Sequence, residues 1–91
     1  MINLTAKILE LHNKWDSADS SVIAGNVENL LIANGLSKQN QRIAELQQVT
    51  NSTKHTVYAW FNQSRKDVKI PFLKLCMIAE KYNTNIETLL K

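Results

Sequence analysis

What this sequence has least of narrows the field first. One Cys, one Pro and two Gly serve 91 residues. A lone Cys76 closes no internal disulfide, so packing has to hold the fold and the thiol suits an intracellular setting. Two glycines leave no Gly-rich phosphate cradle. Histidine occurs only as His12 and His55, and with a single cysteine this gives no credible zinc ligand set. No Ser/His/Asp arrangement has a supporting context and no carboxylate pair sits in a recognisable pocket, so neither an enzyme nor a cofactor is expected. No apolar run reaches the roughly 20 residues of a membrane span. The start joins no basic cluster to an apolar run and a small-residue cleavage site. A cytoplasmic protein is expected.

What is present is enough apolar content, 44%, for a modest core in one domain. Charge is unevenly placed. Residues 1–36 carry a net −2 and residues 37–91 a net +5. Lys38, Arg42, Lys54, Arg65, Lys66 and Lys69 stand against only Glu45 and Asp67 within 37–69, a pattern suited to phosphates.

Helical periodicity runs nearly throughout and strand alternation is absent, which predicts an all-α protein. Leu4, Ile8, Leu11 and Trp15 make a narrow apolar stripe on a first amphipathic helix. The polar cluster 16–21 then links it onward and supplies N-cap candidates. The chain divides into 1–18, helix and linker, and 19–91, the main domain. Ile23, Val27, Leu30 and Leu31 continue at helical spacing to Gly35, a helix stop. Ile43, Ala44, Leu46 and Val49 are expected to face inward from the next helix, which 50–53 interrupts with turn-forming residues. A further helix begins near Thr53, with Val57, Trp60 and Phe61 on one side and Lys54, His55, Tyr58 and Asn62 on the other. After a basic loop, Pro71 suits the first turn of a helix whose buried face is read as Leu73, Cys76, Met77, Ile78 and Tyr82. Thr84 and Glu87 have the spacing of a capping box for a last helix burying Ile86, Leu89 and Leu90. Cys76 reads as a buried thiol, His12 as a partly covered histidine and Trp60 as core.

The informative unit is a helix, a short polar turn and a second helix with one polar, basic face. Such a pair presents a helix to the DNA major groove, about 12 Å wide. Thr53-Lys54-His55-Thr56-Val57-Tyr58-Ala59-Trp60 resembles the recognition helix of the lambda-repressor-like, Cro-type helix-turn-helix regulators of phages and bacteria. The stretches 70–79 and 85–90 look like that family's two closing helices. The resemblance covers roughly 22–90 and implies a five-helix domain of that class, here with an extra N-terminal helix. The family's small Ala stands about six residues before the recognition-helix N-cap, whereas Ala44 lies nine before Thr53, which predicts a longer turn or a longer preceding helix. The family's turn Gly is missing, with Gln48 or Asn51 near its place.

Carried over, the resemblance puts Lys54, His55, Tyr58, Ala59 and Asn62 nearest the bases. Lys54 suits guanine, Asn62 an adenine edge and the Ala59 methyl a thymine methyl, while His55 can donate or accept. It puts phosphates near Thr53, Thr56 and one of Gln39, Asn40 and Gln41. Arg42, Arg65, Lys66 and Lys69 are further phosphate candidates from the basic belt. The implied function is a transcriptional regulator of the phage or mobile-element repressor type, acting as a homodimer on double-stranded DNA near the nucleoid. The alternative from another class is a modulator of the same fold that grips a protein partner, as an antirepressor, antitoxin or inhibitor. Leu4, Ile8, Leu11 and Trp15 are one candidate dimer or partner surface, and Ile86, Leu89 and Leu90 are the other. A third option is that the first helix folds back on its own domain.

Overall fold

The computed structural model describes residues 4–62 and 68–91. Among the described residues all regular structure is helical: α1 (Leu4–Ser17), α2 (Ser20–Ala33), α3 (Gln39–Thr50), α4 (Lys54–Trp60), α5 (Phe72–Lys81) and α6 (Ile86–Leu89). No described helix is long and apolar enough to cross a membrane.

Local chemistry sets most of the helix ends. Asp19 caps α2, its carboxylate accepting from the Ser21 N–H at 2.9 Å. At the start of α3 the Gln41 Oε1 accepts from the Lys38 N–H at 3.2 Å. Three helices stop in the same way, with a left-handed residue followed by an N–H that bonds five residues back. After α2 this residue is Gly35 (φ 92°), and the Leu36 N–H reaches the Leu31 carbonyl at 3.0 Å. After α3 it is Asn51 (φ 51°), with the Ser52 N–H on the Gln47 carbonyl at 3.2 Å. After α5 it is Asn83 (φ 49°), with the Thr84 N–H on the Ala79 carbonyl at 2.9 Å. In a chain so short of glycine, asparagine supplies the left-handed turn, since its short polar side chain tolerates that region better than most.

The last cap differs from the sequence expectation. Asn85, not Thr84, caps α6 and accepts from the Glu87 N–H at 2.9 Å. The Glu87 carboxylate faces away to α1 instead of closing a capping box.

The core is built from Ile23, Val27 and Leu31 of α2, Ile43 and Leu46 of α3, Val57 and Trp60 of α4, Leu75, Ile78 and Ala79 of α5, and Leu89 and Leu90. Ile70, from the segment before α5, is fully buried among them. α3 packs against α4 and α5, while α6 packs against α5 and α2. Two expectations are corrected here. Ala44 is exposed, because α3 turns Ile43, Leu46 and Thr50 inward. On α5, Leu73 (66% exposed) and Met77 face out while Leu75, Ile78 and Ala79 face in, and Cys76 and Tyr82 are half-buried. Nearly every residue from Phe72 to Ala79 is apolar, so periodicity alone leaves the inward face undetermined.

α1 folds back on this domain and is held by side chains. The Trp15 indole Nε1–H donates to the Ile70 carbonyl at 2.8 Å. The Lys69 Nζ donates to the Trp15 and Asp16 carbonyls at 2.6 and 3.1 Å and lies 4.6 Å from the centre of the Trp15 ring. His12 and Phe72 pack against the same indole, with ring centres 5.2 and 6.5 Å from it. Farther along, Lys7 and Lys14 reach the Glu87 carboxylate at 2.9 and 3.5 Å. Trp15 is therefore half-buried, Leu11 is also half-buried, and Ile8 stays 55% exposed.

Candidate nucleic-acid interface

The second helix of the α3–turn–α4 unit is short and rigidly seated. Val57 is fully buried and Trp60 nearly so, three residues apart on one side. Only 51–53 separate the two helices, so the turn is three residues long and follows an α3 of 12 residues. Of the two candidates for the missing glycine position, Asn51 holds the left-handed conformation. Counting six residues back from Thr53 gives Gln47, which is half-buried and stands where a small Ala was sought.

Three further contacts brace the turn. The buried Thr50 hydroxyl donates to the Leu46 carbonyl at 2.6 Å and lies 2.9 Å from the Ser52 hydroxyl. Lys74 of α5 donates from Nζ to the Thr50 carbonyl at 2.5 Å, placing a cation at the C-terminus of α3 where the helix dipole favours one. Tyr82 at the end of α5 donates a short hydrogen bond to the Glu45 carboxylate. Burial, then this carboxylate, pushes the Tyr82 phenol well above its usual range. The expected N-cap of α4 is in place, with Thr53 Oγ1 accepting from the Thr56 N–H at 3.2 Å.

Opposite the Val57–Trp60 side, Lys54, His55, Tyr58 and Asn62 are exposed and Ala59 is half-buried. The Lys54 Nζ lies 5.8 Å from the Tyr58 ring centre, so the two side chains share one edge of this face. A hollow of about 300 Å³ opens on it, lined by Gln39, His55, Tyr58, Ala59, Phe61 and Asn62. Four of the five expected base-reading residues therefore meet at one place, with Lys54 one turn before Tyr58. Gln39 is the member of the Gln39, Asn40 and Gln41 set that joins them, since Gln41 is used to cap α3. Asn40 is exposed, and so are Thr53 and Thr56. Phe61, the C-cap of α4, is half-buried: it packs against the core, as expected with Val57 and Trp60, and it also lines the hollow.

The basic belt is redistributed. Arg42 donates to the Leu36 and Ser37 carbonyls at 3.0 and 2.8 Å and pairs with Glu28 at 3.4 Å, which commits its guanidinium to the α2–α3 connection. Lys69 is committed to α1 as described. Arg65 and Lys66 lie outside the described residues. Lys38 and Lys54 are exposed. The apolar surfaces also change. Leu89 and Leu90 are core residues and Ile86 packs against the core, so the closing helix offers little apolar face to a partner. The Leu4 side chain lies outside the described part of its residue.

Among the described residues no three His, Cys, Asp or Glu side chains gather to hold a metal ion. Comparison with known proteins found no matching family model, no matching curated protein and no matching solved structure.

Proposed function

We propose that this chain is a sequence-specific double-stranded DNA-binding regulator of the lambda-repressor-like, Cro-type class, with α4 as its reading helix. The observation that carries this reading is the exposed Lys54, His55, Tyr58 and Asn62 face, held on a helix anchored by buried Val57 and Trp60 behind a three-residue turn. A base-reading helix needs this division: polar donors and acceptors toward the groove, and apolar anchors that fix their positions. Gln39, Thr53 and Thr56 stand at the flanks as phosphate ligands, and binding as a homodimer to two half-sites completes the reading. The protein would act in the cytoplasm, on the nucleoid.

The test is selection from a random double-stranded DNA pool at two salt concentrations, with the Lys54→Ala/His55→Ala variant beside the parent. A two-fold-symmetric motif is expected. Each substitution should weaken the specific site by about 1–3 kcal/mol and relax preference at one position. A parent that enriches nothing at low salt would overturn the reading.

A second reading has one observation in its favour. Ile8 and Leu9 on α1 are 55% and 58% exposed, an apolar edge on an otherwise docked helix. A protein partner held there would make the chain a modulator of that partner, and failure of the DNA selection would favour this reading.

A further inference from the structure

We propose that two copies of this chain join by exchanging α1, so that the first helix of each lies against the 69–72 segment and Glu87 of the other. This deepens the DNA-binding reading above by naming how its homodimer forms, and its test needs no DNA. α1 has the character of an exchangeable arm. None of its described side chains is buried, and no residue of α1 belongs to the buried core. It is held at two places, around Trp15 and at Glu87, by side chains that meet other side chains or a carbonyl. Contacts of this kind open at small cost compared with a packed core. Undocking α1 therefore leaves α2 to α6 folded, and the α1 of a second copy satisfies the same groups.

The junction decides which copy α1 serves. Only Ala18 and Asp19 separate the end of α1 from the start of α2. The Ala18 N–H bonds back to the Lys14 carbonyl at 3.1 Å, and the extended Asp19 (ψ 137°) turns the chain. Bringing Asp19 to the helical ψ of about −42° lets α1 and α2 join in one helix over 4–33, about 45 Å long, which carries α1 away from its own domain. So short a junction invites exchange, because it constrains the return of α1 to its own domain. Exchange keeps the α1 contacts and adds whatever the two copies touch beside the junction. There α2 offers open surface: Val22 is 40% exposed and, three residues on along the same face, a Cβ at Gly25 would have no packing neighbour within 4 Å. The rival apolar surface is already occupied, since Leu89 and Leu90 lie in the core and Ile86 packs against it.

Two charge-reversed chains test the exchange. One carries Lys7→Glu and Lys14→Glu against the native Glu87, and the other carries Glu87→Lys against the native Lys7 and Lys14. Each chain alone sets like charges against each other, whether α1 is closed or exchanged between identical copies. In a mixture the charges match at both docking surfaces when each α1 crosses to the other chain. Native mass spectrometry of the mixture should show heterodimers in about ten-fold excess over the homodimers, the effect of exposed pairs passing from repulsion to attraction. A second measurement leaves every side chain in place. A Gly-Ser linker inserted between Ala18 and Asp19 of the parent relieves the junction and should convert its dimer to a monomer with α1 closed. A monomeric parent, heterodimers and homodimers in chance proportion, or a dimer that survives the linker would overturn the exchange. Each of these results leaves α4 standing as the reading helix, which the DNA selection decides separately.

Discussion

Arg42, Lys69 and Lys74 carry a lesson about reading cations from sequence. Arg42 and Lys69 were expected at phosphates, yet they, like Lys74, donate to backbone carbonyls at the end of another helix or its adjoining loop. Carbonyl oxygens leave no residue signature, so no pattern of side chains announces such a partner. Lys69→Met, which keeps the stem and removes the ammonium, is expected to lower stability by about 1 kcal/mol in urea denaturation. The salt slope of DNA binding should stay unchanged, whereas loss of a phosphate ligand lowers it by roughly one unit. A lowered slope would return Lys69 to the interface. Ile70 and Thr50 escaped the sequence reading for a related reason: one lies in a connecting segment with no periodicity, and the other is a polar residue whose burial depends on a bond to its own helix.

At the level of elements, legibility followed locality. Gly35 as a stop, Thr53 as a cap and the inward pair Val57 and Trp60 were all readable, because each depends on a few neighbouring residues, whereas Pro71, expected in the first turn of α5, is its N-cap. The face of α5 was not, because its contacts with α3 and α6 choose Leu75 over Leu73. The turn between α3 and α4 lies between these cases, since two residues competed for the left-handed position and geometry selects Asn51. This assignment has a direct test. Asn51→Ala should cost about 1 kcal/mol, because a Cβ without a compensating polar group is strained there. Asn51→Gly should match or exceed the parent. Equal urea midpoints for the Ala and Gly variants would contradict the left-handed turn. The candidate DNA face itself was legible as a set of residues, but the hollow that unites Gln39 with α4 depends on how two helices meet and so had no linear signal.

Over the whole molecule, Glu87 joins the first helix to the last. The hydrogen bond from Lys7, then the charge of Lys14, holds its carboxyl below the ordinary 4.5. Its contribution is therefore fully present above about pH 4.5 and is lost as pH falls through the lower folded-state value. The partner behaves in reverse. Hydrogen bonding to Glu87, then the charge of Glu10, raises Lys7, whose contribution is present below about pH 10.5 and lost as pH rises through the higher folded-state value. Urea midpoints of the parent and Glu87→Gln should differ at neutral pH and converge in acid. A difference that persists undiminished in acid would remove the ion pair as its cause.

The same pairing puts a schedule on synthesis. Lys7 and Glu87 are separated by 80 positions along the chain. At 5–20 residues per second, Lys7 is made roughly 4–16 s before its carboxylate partner. During that interval Leu11 and Trp15 have no domain to lie against, and a chaperone that shields a short apolar stripe has its natural point of engagement there.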